Sequence, residues 1–432
     1  MYKYIDNIIK VGNEKEFCFF DPDNLLIFSK PNPNDNDQKI VDDYNSFKKK
    51  LPSESIQPFD LKNSTSVCLE LHLTDNCNLR CKYCYLGGNS SSKINNMSRK
   101  TIEKAFDFVL ENYPKAKSIK IPLFGGEPTL YWKNFEFLLK IAKKKFNDKK
   151  FHFTFATNGT VLNKEIISFI KQKEVSFCVS LDGNEKTQNF LRPTSNNTGS
   201  FELIEKNLPI FQEINPSLMA RSTITPLNYN ICNQFEYFIN KGFKAIGFAL
   251  CSSKEFQLKA NFLQAYLKEL DKFSDMYFNH LINEEQTVDV MPFTNFLRIL
   301  HNGYKKHTYC NNGKNLFAIS HDEKIYLCHR FVGNSKFEIG NLNTGFDKQN
   351  VIRKKILNFD ITKQKKCQNC FARHICIGGC AHEQSTLPSE VICTITKKIV
   401  LLSIDLYFKL SSSQKFAKKL ETFMKNNPRN KS

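Results

Sequence analysis

Residues 77–85 read CNLRCKYCY, three cysteines in a C-x3-C-x2-C spacing with tyrosines at 83 and 85. Thiolates gathered this closely bind a metal or a cluster. A closed structural zinc site needs a fourth ligand. His72 lies five residues upstream, inside an apolar strand-like run, which is a poor position from which to complete the set. An iron–sulfur cluster held by three thiolates instead keeps one iron open, and there a substrate or cofactor binds and receives an electron. Zinc and an open cluster both remain readings of the spacing. Three thiolates without a fourth suit a cluster that does chemistry.

A second set lies toward the C-terminus. Residues 367–380 read CQNCFARHICIGGC, a C-x2-C-x5-C-x3-C run, with Cys393 after it and Cys310 and Cys328 before it. Soft ligands of this kind suit zinc as well as iron and sulfide. A zinc-binding interaction protein without catalysis is therefore an alternative. The two sets use ten of the fifteen cysteines, and Cys18, Cys68, Cys178, Cys232 and Cys251 are scattered. Those in apolar runs read as buried, inert thiols.

The chain of 432 residues is long enough for two or three domains, and 41% hydrophobic with 13% aromatic residues supplies a core. No apolar run reaches the ~18 residues of a membrane span, and the first residues lack a signal-peptide pattern. A cytoplasmic protein follows, in which so many cysteines serve metal or redox chemistry rather than disulfides. The net charge is +19, but nine arginines stand against 53 lysines, spread along the chain. Bidentate phosphate recognition favours arginine, so nucleic acid is not the expected partner and an acidic peptide fits better.

Elements must hold these cysteines. FCFFDPDNLLIF, at 17–28, predicts a hairpin, and a helix follows at about 38–50 before a polar linker to residue 66. From 67 to 251, six apolar strand-like runs alternate with amphipathic helical segments, which predicts a parallel sheet covered on both faces. A partial barrel and a doubly wound sheet fit equally by periodicity. A helical stretch covers about 261–305, and a lysine-rich helical tail ends the chain.

CNLRCKYCY, placed just after the first of these strands, resembles the signature of the radical S-adenosylmethionine (SAM) enzymes. The resemblance implies that Cys77, Cys81 and Cys84 hold a 4Fe–4S cluster whose fourth iron is chelated by SAM. FGGEP at 124–128 resembles the family's Gly-Gly-Glu-Pro loop, so Gly125, Gly126 and Glu127 are expected at SAM's amino group. ATNGT at 156–160 and VSLDG at 179–183 end later strands. Similar family motifs put Thr157, Asn158 and Ser180 near SAM, with Arg192 of FLRP at its carboxylate, although each of these four also fits turn or capping chemistry. Tyr83 is counted with the cofactor-binding residues. The implied fold is α/β, a partial (β/α)6 TIM-like barrel over 67–255. A helical bridge (256–309), a cysteine-rich domain (310–395) and a basic tail (396–432) follow it, and an extension (1–66) precedes it.

The second set resembles the SPASM extension of radical SAM enzymes that modify peptides. Carried over, Cys310, Cys328 and Cys380 serve a first auxiliary 4Fe–4S cluster, and Cys367, Cys370, Cys376 and Cys393 a second. Two departures stand out. The family has a glycine five residues before its second cysteine, where this chain has Glu323, and no further cysteine follows Cys310 in CNNGKNLF. The first auxiliary cluster then needs a non-cysteine ligand such as His321, or keeps an iron open to a substrate thiolate.

The expected function is maturation of a ribosomally made precursor peptide by a 5′-deoxyadenosyl radical, through a thioether or carbon–carbon cross-link. The alternative is an anaerobic sulfatase-maturing enzyme that forms formylglycine. Such enzymes carry an aspartate directly after the second SPASM cysteine, where LCHRF has His329, the candidate catalytic residue here. The hairpin at 16–28 of the extension fits a reduced leader-peptide recognition element and, equally, a simple packing extension. A flavodoxin or ferredoxin is the expected electron donor.

Overall fold

The computed structural model describes residues 2–12, 16–29, 36–49, 62–87, 94–303, 305, 310–387, 389–412 and 414–426. Most of the expected polar linker before residue 66 lies outside them. The N-terminal stretch forms more than the expected hairpin. Strands β1 (Tyr2–Ile5), β2 (Ile8–Gly12), β3 (Phe17–Asp21) and β4 (Leu26–Phe28) make an antiparallel meander in that order, followed by helix α1 (Asp37–Lys48).

The six apolar runs become β5 (Ser66–Thr74), β6 (Ser118–Gly125), β7 (Lys150–Thr157), β8 (Val175–Ser180), β9 (Met219–Ile224) and β10 (Ala245–Leu250). Between them run α2 (Arg99–Asn112), α3 (Phe135–Lys145), α4 (Lys164–Ile170), α5 (Glu185–Leu191), α6 (Phe201–Ile214) and α7 (Ile231–Asn240). Side-chain oxygens accept from the third following backbone N–H at Ser98 (3.0 Å) and Asn163 (2.8 Å), and so start α2 and α4. Beyond β10 lie α8 (Ala260–Asn283), β11 (Asp289–Met291) and α9 (Phe293–Asn302). The sequence reading made this stretch wholly helical. Three residues suffice for β11, too few to show a period, and it pairs in parallel with β10.

The cysteine-rich part is not a separate sheet. Strand β12 (Leu316–Ile319) pairs in parallel with β5, and β13 (Lys324–Tyr326), β14 (Glu338–Asn341) and β15 (Gly345–Phe346) extend the sheet antiparallel. One sheet of eleven strands results, in the order β11-β10-β9-β8-β7-β6-β5-β12-β13-β14-β15. Helices α10 (Val351–Leu357), α11 (Arg373–Cys376), α12 (Ala381–Thr386), α13 (Ser389–Ser411) and α14 (Gln414–Asn426) complete the described chain. None of its helices is long and apolar enough to cross a membrane.

Period-two alternation gives the sheet two unlike faces. Val67, Leu69, Leu71 and Leu73 of β5 are buried with Ile102, Phe106 and Val109 of α2 in the main core. Each such side chain contributes about 1.5–3 kcal/mol through burial. The intervening positions carry Cys68, Glu70 and His72 on β5, Lys120 and Phe124 on β6, His152 on β7, and Ser176 and Ser180 on β8. The expectation of apolar cover on both faces therefore holds for the helix side alone. The other face lines two cavities. One, of about 590 Å³, lies at the C-terminal ends of the strands. The other, of about 690 Å³, lies toward their N-terminal ends between Lys120, His152, Cys178 and Met219. The larger cavity contains none of the cysteines of the two spaced sets.

Glu323 explains its own departure from the expected glycine. Its φ is +65°, so the turn between β12 and β13 keeps the left-handed conformation without the glycine. Lys104 Nζ holds the carboxylate at 2.8 Å, and Asn343 Nδ2 donates to it at 2.9 Å. Glu323→Gly should relieve about 1 kcal/mol of backbone strain while losing a partly exposed ion pair worth at most about that much. Near-unchanged stability is therefore expected in urea titration, with Glu323→Val clearly destabilising. A glycine variant that unfolds much more readily would show that the ion pair dominates the turn.

Candidate active site

The loop after β5 presents Cys77, Cys81 and Cys84 to the 590 Å³ cavity. It is fixed from behind by the segment following α5. Arg80 N donates to Pro193 O at 2.7 Å, Lys82 N to Leu191 O at 3.0 Å, and Leu79 bridges to Thr194. Burial pushes the Cys77 thiol up to about 12, with the Glu127 charge adding to it, and burial pushes Cys81 to about 11 against the pull of Arg192. Unmetallated, these two groups are thiols at neutral pH. A bound metal centre must displace their protons to hold them.

No three of the cysteine sulfurs in any set lie mutually within 4.8 Å among the described residues. Edges around tetrahedral zinc with ~2.3 Å Zn–S bonds are about 3.8 Å. As they stand, the three thiols are not drawn together to the edges of a tetrahedral zinc site.

The glycine loop packs tightly against the chain behind it. Gly125 has φ +147°, and a Cβ there would stand 2.2 Å from Thr74 O; one on Gly126 would stand 2.4 Å from Asn76 O. The close approach these glycines permit is to the chain itself, where Gly126 N and Glu127 N donate to Thr74 O and Asn76 O, each at 2.8 Å. Glu127 is buried, and burial raises its carboxyl. Its Oε1 accepts from Thr129 N, Thr129 Oγ1 and Thr157 Oγ1 at 2.8–3.1 Å, and its Oε2 from Asn158 N at 2.7 Å. Thr157 thus acts through Glu127 and does not line the cavity. Gly125, Gly126, Glu127, Asn158 and Ser180 all do.

Arg192 lines the cavity too, but its guanidinium is committed to Asp182, with Nε at 2.9 Å and Nη2 at 3.3 Å. Asp182 is fully buried and also accepts from the Tyr83 hydroxyl and, at 2.9 Å, from Thr223 N. Tyr83 and Arg192, both expected at a cofactor, meet first on this carboxylate. The sequence reading quoted VSLDG without singling out Asp182. Arg221, exposed and lining the same cavity from β9, was also missed.

The cysteine-rich part closes the cavity with His321, Tyr326, His329 and Arg330. His329 stacks flat on Phe124, with centroids 3.5 Å apart, and its Nδ1 lies 3.0 Å from Glu70 Oε1. Its backbone N donates to Glu70 Oε2 at 2.6 Å. Glu70, Cys328 and His329 offer ligand atoms within 4.8 Å of one another. Burial raises the Cys310 and Cys328 thiols, and the charges of Glu70 and Cys380 add to both. Cys310, Cys328 and Cys380 thus lie within reach of one another's charge, with Glu70 beside them. His321 lies near Asp75, and its buried Nδ1 has no hydrogen-bond partner. A lone carboxylate inside the apolar run VCLELHLT was the available signal for Glu70. Cys367, Cys370, Cys376 and Cys393 likewise act on one another, with burial the main cause of a Cys376 thiol at about 12.

Residues 71–228 match the Radical SAM superfamily. A cysteine-type anaerobic sulfatase-maturating enzyme of Clostridium novyi is 25% identical over 334 residues, spanning 71% of this chain and 85% of that protein. The solved structure of anSMEcpe with bound AdoMet has a TM-score of 0.66 at 21% identity, covering 82% of this chain and 98% of that one. SuiB of Streptococcus suis, bound to precursor peptide SuiA, has a TM-score of 0.50 at 16% identity, with 88% and 96% covered. Both structural likenesses show a shared fold. With its cysteine loop, glycine loop and strand-end residues around one cavity, the protein is an enzyme built on a radical SAM domain.

Proposed function

We propose that the protein is a peptide maturase that binds SAM and three 4Fe–4S clusters and forms an intramolecular cross-link in a precursor peptide. The observation that carries the reading is the shared cavity: Cys77, Cys81 and Cys84 line one part of it, and His321, His329 and Arg330 another. The names of the relatives, which act on sulfatases or bind a precursor peptide, support a peptide substrate. When bound, the cluster and SAM supply a hydrogen-abstracting radical. The chain's own residues do the rest. The Asp182–Arg192–Tyr83 group holds the cysteine loop, and the enclosing walls exclude water from the reacting C–H. Glu70 engages His329 at Nδ1 and so turns Nε2 into the ring's proton acceptor.

Formylglycine formation is the second reading, favoured by the sulfatase-maturating relatives. The two separate by mass spectrometry of a cysteine-containing peptide incubated anaerobically with the loaded enzyme, SAM and a reductant. Loss of two hydrogens with sulfur retained marks a cross-link. Loss of two hydrogens together with exchange of that sulfur for oxygen marks formylglycine.

Glu70→Gln should lower kcat by about ten- to a hundredfold with iron content unchanged, because it removes the charge and leaves one acceptor oxygen for the two bonds that Glu70 makes to His329. Unchanged kcat would release His329 from any part in the chemistry.

A further inference from the structure

Cys367, Cys370, Cys376 and Cys393 are enclosed on one side only. Cys370 and Cys376 pack against a core in which Ile9, Val11 and Phe20 of the N-terminal meander meet Phe371 and Ile375. The Tyr2 and Phe371 rings are 5.3 Å apart, and Arg373 bonds to Asp23. Toward solvent the opposite holds. Cys393 is exposed and Cys367 half-buried. Lys363, Lys365 and Lys366 run into Cys367, Lys397 stands one helical turn beyond Cys393, and all four are exposed. The Lys397 and Lys366 charges oppose the rise that burial imposes on the Cys367 thiol, and Lys397 does so at Cys370. None of the four lysines forms an ion pair among the described residues.

Lysine is common throughout this chain, so a cationic patch alone means little. This one runs into Cys367 and flanks Cys393, the exposed cysteine of its set. We propose that this face docks an acidic one-electron carrier protein of the ferredoxin class. The inference rests on the reading that these four cysteines hold a cluster. In the exchange the carrier loses one electron, the cluster gains it, and no proton or group moves. A peptide seated in the active-site cavity would bar a protein donor from that side, whereas this face stays open. Rim charges of this kind act on association rate and salt dependence more than on residence.

The test uses the full chain, anaerobically reconstituted, with iron and sulfide measured first. Reduction is followed by stopped-flow absorbance with a reduced acidic ferredoxin and, separately, with reduced methyl viologen, a small cation. The variant is Lys365→Glu/Lys366→Glu/Lys397→Glu, and the control reverses the exposed lysines of α3, Lys140→Glu/Lys143→Glu/Lys144→Glu. Ferredoxin reduction should slow about tenfold or more in the first variant at low salt, with a flatter salt dependence. Viologen rates and the α3 variant should stay near wild type. Equal slowing in both variants would reduce the effect to overall charge and overturn the docking face. So would weakened binding of an acidic peptide with ferredoxin rates intact. Missing iron at the four cysteines of the wild type would overturn the cluster reading and this inference together.

Discussion

Replacing Cys77, Cys81 and Cys84 together by alanine should lower anaerobically reconstituted iron from about twelve to about eight atoms per chain and abolish SAM cleavage. The loss should be selective because the three thiol sets stand on different supports. The first sits on the loop after β5, the second beside β12 and Glu70, and the third around α11 and α13. The fold should survive, since the loop is held by backbone bonds to Leu191 and Pro193 and not by its sulfurs. Circular dichroism of the variant should match wild type, and its remaining iron should keep the sulfide of intact clusters. Two other outcomes would count against the assignment. Zinc with little sulfide in the wild type would turn the chain into a zinc-binding protein. Iron falling to nearly zero would mean that the sets are not independent.

The cysteines and strands were legible because their signals are local. Spacing marks the thiols, and apolar runs bounded by turn residues mark β5 to β10. What stayed hidden depends on which strand positions face inward together. Glu70 and Arg221 are single polar residues in different strands, and nothing in either run says that they share a concave face. Asp182 was within the quoted VSLDG, but its partners Tyr83, Arg192 and Thr223 come from three other places in the chain. The glycine loop was found by its motif, but the demand that Thr74 and Asn76 place on Gly125 and Gly126 was not legible. The N-terminal extension was expected to recognise a leader peptide. Its strands β2 and β3 share a core with Phe371 and Ile375 of the cysteine loop and with Val400 and Ile404 of α13. Cys370 and Cys376 pack against that core, a long-range contact that no window of sequence displays.

Asp182→Ala should be the most damaging single change outside the cysteines. Arg192 is 9% exposed, and its guanidinium would be left buried without its counter-charge. Removing one partner of such a pair costs about 3–5 kcal/mol, which for a chain of 432 residues lowers Tm by roughly 5 °C. The same change frees the Tyr83 hydroxyl and Thr223 N, and it loosens the segment after α5 to which the cysteine loop is tied. Iron retention at Cys77, Cys81 and Cys84 should therefore fall along with Tm. The double variant Asp182→Ala/Arg192→Met should recover much of the stability, because the penalty lies in the stranded charge more than in the lost bond. It should not recover iron retention, since Tyr83 still lacks its acceptor. Calorimetry and iron analysis on the three proteins separate these effects. If Asp182→Ala melts within a degree or two of wild type, the buried pair does not hold the site together. The cysteine loop would then owe its position to its backbone bonds alone.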